Sequence, residues 1–189
     1  MMIRPESAND YDTIRTILVA AFADHPYSHQ TEHLIVEALR AAGAMTVALV
    51  AEVDGRVVGH IAFSPVKIDG KDCAWYALGP IAVLPDLQRQ GIGKRLAEEG
   101  LKAIRRLGAR GCVLVGDPAY YERLGFRHDP ALTMEGVPPQ NLLRLPMAQP
   151  VPRGEVSHHS AFSVGESPDL KKKPFYFPQF APTPRSTCV

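Results

Sequence analysis

Two Asp-Gly pairs, Asp54-Gly55 and Asp69-Gly70, punctuate a stretch of β-patterned runs between Thr46 and Leu84. An Asp-Gly placed between such runs favours the tight turn whose backbone twist matches paired strands. The centre of the chain must therefore fold as an antiparallel meander. Its expected strands are Thr46 to Val53, Arg56 to Ser64 with Val66 to Ile68, and Asp72 to about Leu84. Gly79-Pro80 interrupts the last run. Proline donates no ladder hydrogen bond, so a bulge or local splay is expected there.

Helical signals flank the meander. Met2 to Arg4 reads as a short first strand ended by Pro5. Ser7 and Asp10 then have the spacing of a capping box. The next helix places Tyr11, Ile14, Leu18 and Phe22 on one face, and His25-Pro26 breaks it. A second helix, Thr31 to Ala42, is expected to bury Leu34, Ile35, Ala38 and Leu39. Downstream, Gly91 to Leu107 reads as a long helix with Ile92, Leu96, Ala97, Ile104 and Leu107 available to the core. Cys112 to Val115 is a short buried strand, Pro118 to Leu124 a short helix, and Leu142 to Met147 a further strand. This order implies a mixed α/β fold with one crossover unit.

Composition narrows the function classes. The formal net charge is +1, from 21 basic and 20 acidic side chains, which gives no overall case for nucleic acid or an anionic membrane. Cys73, Cys112 and Cys188 are widely spaced, with no CxxC pair. That argues against a disulfide frame or a zinc site and leaves no metal site expected. No apolar run approaches the ~20 residues of a membrane span, and Met1 to Asp10 has no apolar stretch of signal-peptide type. The expected location is cytoplasmic.

The chemistry lies in the stretch from Leu78 to Leu96, a strand, a polar glycine-containing loop and then a helix. The first amides of a helix have no intrahelical partner and point outward with the positive end of its dipole, a ready anion site. Gly91 and Gly93 let a phosphate approach the backbone, and Arg89 and Lys94 add positive charge. A nucleotide-hydrolase P-loop would need glycine where Gln88 stands and Ser or Thr where Arg95 stands. A dinucleotide fingerprint would need glycine at Leu96 and an acid ~20 residues on, where Cys112 to Val115 is apolar. Both readings fail.

The loop Gln88-Arg89-Gln90-Gly91-Ile92-Gly93, preceded by Ala82-Val83-Leu84-Pro85, resembles the acetyl-CoA-binding motif of the GNAT superfamily. Tyr120-Tyr121-Glu122-Arg123-Leu124-Gly125-Phe126 resembles its Phe-Tyr-x-x-x-Gly-Phe element. Gly116-Asp117-Pro118-Ala119-Tyr120-Tyr121, the helix Thr31 to Arg40 and Gly154 to Phe162 are similar to a branch of bacterial predicted acetyltransferases. The resemblance implies a GNAT-like fold, a central, mostly antiparallel twisted sheet flanked by helices. It implies acetyl-CoA as cosubstrate, held by Ile81, Ala82, Val83, Gln88, Arg89, Gln90, Gly91, Ile92, Gly93 and Lys94. It also places Tyr121 where the family often has its general acid. A phenol with a reference pKa of ~10 is protonated at neutral pH and can donate to a departing thiolate; the other role open to Tyr121 is packing beside Tyr120 and Phe126. Three departures stand out: Pro118 and its neighbours replace an asparagine common after the fifth strand, His158-His159-Ser160 replaces Tyr-His-Pro, and no family pattern continues beyond Lys171.

The acceptor implied is a small-molecule, peptide or protein amine, and the resemblance leaves room for a homodimer. No general base stands out; His25, His29, Glu32 and His33 cluster in sequence but also suit a solvated loop and helix. His60 alternates with apolar residues and reads as packed or hydrogen-bonded. Two other readings stay open, an acyl-CoA sensor of GNAT shape without turnover and a docking strip in the Pro- and aromatic-rich stretch Pro174 to Pro184. The expected organisation is an acetyltransferase domain over 1–148, an additional edge strand within 149–166 and an irregular Pro-rich tail over 167–189. Because the tail lacks hydrophobic periodicity, truncation of Lys171 to Val189 is expected to leave the thermal midpoint nearly unchanged; a large loss in a calorimetric scan would make Phe175, Tyr176, Phe177 and Phe180 core residues.

Overall fold

A computed structural model describes residues 1–23, 28 and 30–164. The expectations for His25-Pro26, His29, Cys188 and the tail concern residues outside this set. Among the described residues, nine strands and four α-helices alternate with short 3₁₀ turns: β1 (Met2–Pro5), α1 (Tyr11–Phe22), α2 (Glu32–Ala41), β2 (Val47–Val53), β3 (Arg56–Ile68), β4 (Lys71–Val83), α3 (Ile92–Arg106), β5 (Gly111–Val115), α4 (Pro118–Tyr121), β6 (Arg127–His128), β7 (Leu132–Thr133), β8 (Leu142–Pro146) and β9 (Gly154–Ser157). The sheet runs β1-β2-β3-β4-β5-β8-β6. All these neighbours are antiparallel except β4 and β5, the crossover pair joined through α3. β9 pairs with the far end of β3, at Lys67 and Ile68, and runs parallel to β7. This is the mixed α/β sheet flanked by helices that the sequence implies. The additional edge strand expected within 149–166 is β9, which stops at Ser157, and a 3₁₀ turn over Ser160–Ser163 follows.

Two cores form because residues alternate across the sheet. On one face α1 and α2 bury Ile14, Ile17, Leu18, Phe22, Ile35, Val36 and Leu39 with Val50, Trp75 and Ala82. On the other, α3 buries Ile92, Leu96, Ala97, Leu101 and Ile104 against Leu49, Ile61, Phe63 and Val83. Helix α3 sits very close to the sheet. A Cβ at Gly100 would fall 2.2 Å from the Phe63 ring, so the ring fills the place a side chain would take. Three face assignments need correction. Tyr11, expected in the core, is 37% exposed and lies at the start of α1 with its ring 3.7 Å from the Arg40 guanidinium. Leu107, also expected inside, is 59% exposed where α3 has ended. In α2, Leu34 and Ala38 are only partly buried, and Val36 takes the core position instead.

The α1–α2 side is tied to the sheet by a polar cluster. Glu6, just after β1, accepts both Nε (3.0 Å) and Nη2 (3.1 Å) of Arg40 on α2. It also pairs with Nε2 of the fully buried His60 on β3, at 2.9 Å. Nε2–H donates in the neutral tautomer, leaving Nδ1 with no hydrogen-bond partner among the described residues. Protonation would bury a cation with a donor that nothing accepts, so desolvation lowers the His60 pKa below 6.5. Burial opposes the ionised form of Glu6, yet its bonds to His60 and Arg40 together hold its pKa below 4.5. Both groups bind protons more readily in the unfolded chain, so their contributions are present above the unfolded pKa values and are lost as pH falls. The melting temperature should therefore fall on acidification below 6.5 and fall further below 4.5. In His60→Gln, the first of these two phases should shrink in a series of melts across pH, with His33 and His158, whose pKa values burial also lowers, carrying what remains.

Candidate functional site

The sheet parts in its middle. β4 and β5 pair only from Trp75↔Gly111 to Ala77↔Val113. Beyond that point β5 continues along β8, while β4 follows β3 through a register shift between Ile61 and Phe63. The extra residue of β4 falls at Gly79-Pro80, where Gly79 has φ +147°, so the interruption read from the sequence is a bulge. The remainder of β4, from Leu78 to Val83, presents an edge on which no strand is paired among the described residues.

The polar groups on that edge follow from the register. The Leu84 amide donates to the Val58 carbonyl at 2.9 Å, so the amides of Leu84 and, two residues back, Ala82 face β3. Ile81 and Val83 stand between them and turn their amides outward, into the opening. Ala82, which the family resemblance also implies as a cofactor residue, turns its backbone to the β3 ladder instead. The Val83 carbonyl also faces the opening and accepts Gln88 Nε2 at 3.0 Å. Gln88 thus shapes the turn from strand to helix, and Gln90 does the same by donating Nε2 to the Asp86 carbonyl at 3.3 Å.

Helix α3 begins at the mouth of the opening. Its first internal bond runs from the Arg95 amide to the Gly91 carbonyl, 3.1 Å. The amides of Ile92, Gly93 and Lys94 have no partner within the helix. Gly91 caps it with φ +86°, a left-handed conformation that side chains resist, and a Cβ there would meet nothing within 4 Å. Open space before a helix N-terminus suits a phosphate-sized anion. Arg89 is exposed beside it; Lys94 is exposed too, with Nζ 3.7 Å from Glu98. The Ile92 side chain is buried, so only its amide can serve. Gly93 has a different reason to be glycine: a Cβ there would lie 3.3 Å from the Tyr120 hydroxyl. The packing of Tyr120 onto the first turn of α3 is a site contact that the sequence reading missed, and no sequence spacing signals it.

The other wall is the exit of β5. The Gly116 amide donates to the Asn141 carbonyl (2.9 Å), and Asn141 Nδ2 returns a bond to the Gly116 carbonyl (3.0 Å). Asp117 then caps α4 through Ala119 at 2.9 Å, with Pro118 in the first turn. Buried Asn141 comes from the segment before β8 and was not a sequence candidate. This turn sets Tyr120 and Tyr121 edge to face, with ring centres 4.8 Å apart, and brings the Tyr121 ring within 6.0 Å of Phe126. Tyr121 is buried with Cys112 and Leu78 in the α3-side core. Burial raises the Tyr121 pKa far above the ordinary phenol value and that of Tyr120 to about 12. Both therefore keep their protons at neutral pH. Burial likewise raises the pKa of the Cys112 thiol, so it offers no thiolate. His33, whose pKa burial lowers, sits on α2, and Glu32 is buried with Ser28 Oγ donating to its Oε1 at 2.6 Å.

An open strand edge with two outward amides, a bare helix N-terminus at one end and buried phenols beside it thus meet where the sheet splits. Residues 45–128 match the model of the Acetyltransferase (GNAT) domain. The chain is 38% identical to the N-acetyltransferase YhbS of Escherichia coli (strain K12) over 127 residues, 67% of this chain and 73% of that protein. A GNAT family acetyltransferase from Brucella melitensis, solved in complex with acetyl-CoA, superposes with a TM-score of 0.77 at 48% identity, covering 85% of this chain and 97% of its own. The structure of E. coli YhbS in complex with CoA superposes with a TM-score of 0.75 at 30% identity, over 87% and 93% of the two chains. The chain belongs to the GNAT acetyltransferase family.

The site assigns separate tasks to neighbouring glycines. Gly91→Glu adds a carboxylate and a Cβ at a left-handed position in the open space before the α3 N-terminus. Its acetyl-CoA affinity by calorimetry should fall at least ~10-fold, about 1.4 kcal/mol. Gly91→Asn, which tolerates that backbone conformation, should bind more tightly than the glutamate variant.

Proposed function

We propose that the protein takes acetyl-CoA at the β4–α3 junction and passes the acetyl group to a primary amine by direct attack on the thioester. The observation that carries this reading is the unpaired edge of β4, where Ile81 and Val83 aim their amides into the opening beside the N-terminus of α3. The amides of Ile92, Gly93 and Lys94, with Arg89, hold the pyrophosphate. Ile81 and Val83 pair with the pantetheine arm and the thioester carbonyl. A backbone donor fixed on that carbonyl stabilises negative charge as the amine nitrogen bonds to carbon. The carbon–sulfur bond then breaks, Tyr121 supplies a proton to the departing sulfur, the amine gives up its extra proton to solvent, and solvent returns a proton to Tyr121. The absence of an accessible thiolate at Cys112 supports transfer without an acyl-enzyme. The acceptor reads as a small amine or a peptide or protein amine, and the setting as cytoplasmic.

Tyr121→Phe retains the ring against Phe126 and removes the proton donor. Turnover should fall ~100-fold or more while acetyl-CoA affinity stays nearly constant, the signature of a contact made in the transition state. Tyr120→Phe is the matched control and should lose much less. Wild-type turnover in Tyr121→Phe with chemistry rate-limiting, or a larger loss in Tyr120→Phe, would move the acid role away from Tyr121.

A further inference from the structure

The last peptide of β5 is held by a bond that no strand supplies. β5 and β8 pair antiparallel from Gly111↔Pro146 to Val115↔Leu142, so the next two residues to face each other are Gly116 and Asn141. Residues of a hydrogen-bonded antiparallel pair exchange two bonds, each amide donating to the other's carbonyl. One of the two is made here: the Gly116 amide donates to the Asn141 carbonyl at 2.9 Å. The other is diverted. The Asn141 amide donates instead to the Pro138 carbonyl at 2.9 Å and closes the 3₁₀ turn Pro139–Asn141. The side chain stands in for it, with Asn141 Nδ2 donating to the Gly116 carbonyl at 3.0 Å. This contact is buried, and a buried carbonyl left without a donor is destabilising. A single side chain therefore decides where the Gly116 peptide lies.

That peptide is the seat of the Tyr121 ring. A Cβ at Gly116 would fall 2.4 Å from Cε2 and 2.8 Å from Cδ2 of Tyr121, so the ring fills the space a side chain would take. Cε2 adjoins the carbon that bears the hydroxyl. The main chain of Tyr121 is referred to the same place, because its amide donates at 3.1 Å to the carbonyl of Asp117, the residue after Gly116. Tyr120, with its ring centre at 4.8 Å, and Phe126, at 6.0 Å, close other sides of the ring. A turn of the Gly116 peptide tilts the ring and carries its hydroxyl, the atom farthest from the backbone, through the widest arc.

We propose that Asn141 is a positioning residue for acetyl transfer, its side-chain amide holding the Gly116 carbonyl so that the ring seated on Gly116 keeps the Tyr121 hydroxyl on the departing sulfur. The inference rests on the acid role proposed for Tyr121 and extends it to a residue of the segment before β8. Asn141 acts through Tyr121 and not on the cofactor, so its removal should be felt in turnover and not in acetyl-CoA affinity.

The test is a double-mutant cycle in the full-length protein, with thiol release from saturating acetyl-CoA followed using n-butylamine as the probe amine. Asn141→Ala should lower kcat ~10-fold while acetyl-CoA affinity by calorimetry stays within ~2-fold. In the Tyr121→Phe background the same substitution should cost less than ~2-fold, because the group it positions is gone. Asn141→Asp keeps the size but, when ionised, sets an acceptor against the Gly116 carbonyl. Its kcat relative to wild type should be low at alkaline pH and recover as acidification protonates the carboxyl and restores a donor. This recovery decides the question should Asn141→Ala fail to fold. A readout that needs no acceptor comes from nuclear magnetic resonance of protein with ring-labelled tyrosine. The Tyr121 ε-carbon signal, identified by its absence from Tyr121→Phe, should shift or broaden in Asn141→Ala. Wild-type kcat in folded Asn141→Ala, an equal loss in both backgrounds, a matching fall in acetyl-CoA affinity or an unmoved Tyr121 signal overturns the role of Asn141 and leaves that of Tyr121 standing. Wild-type kcat in Tyr121→Phe overturns both.

Discussion

Everything at the site depends on two parallel strands that stay paired for only three residues. Beyond Ala77 and Val113, β4 and β5 follow different partners. An interior sheet edge is normally satisfied by the next strand, because unpaired backbone amides are expensive to bury. Here the chain leaves such an edge open and lines it with apolar side chains at Ile81 and Val83, so the amides themselves become the specific feature. The bulge at Gly79-Pro80 takes up the extra residue and keeps the β3 ladder in register above it. The open edge is thus produced without loosening the rest of β4.

The surrounding contacts hold the two walls in place from different directions. On the β5 side, Asn141 clasps both backbone groups of Gly116 and so fixes the turn into α4. On the β4 side, Gln88 folds back onto Val83 and fixes the turn into α3. Tyr120 then bridges the two walls by resting on Gly93. Farther away, Glu6 joins the end of β1, His60 of β3 and Arg40 of α2 into one polar knot. That knot lies on the opposite face from α3 and anchors the α1–α2 layer to the strand that β4 pairs with.

The strand–loop–helix junction was legible in the sequence because its signals are local. A proline that cannot donate, a glycine at a left-handed cap and a polar turn all act within a few residues of themselves. The hairpins were legible for the same reason. Helix ends were not. Tyr11 and Leu107 fit the apolar period, yet they occupy terminal turns that overhang the sheet, where periodicity says nothing of what lies beneath. The contacts that organise the site join distant segments, Asn141 with Gly116 and Tyr120 with Gly93. His60 and Glu6 are separated by 54 positions, and no spacing rule predicts such a partner. The two-residue strands β6 and β7 are too short to show any alternation.

The Phe63 ring pressed into the gap at Gly100 has a mechanical consequence. It makes the middle of α3 a fulcrum, because neither side can yield without a backbone shift. Gly91 stands nine residues away, roughly 13 Å along the helix axis at 1.5 Å per residue. A helix is stiff over that length. A tilt of a few degrees at the fulcrum, such as one methyl group at Gly100 would impose, therefore swings the N-terminal amides by a sizeable fraction of a hydrogen-bond length. The aim of the three free amides at the start of α3 is thus set well outside the opening they face.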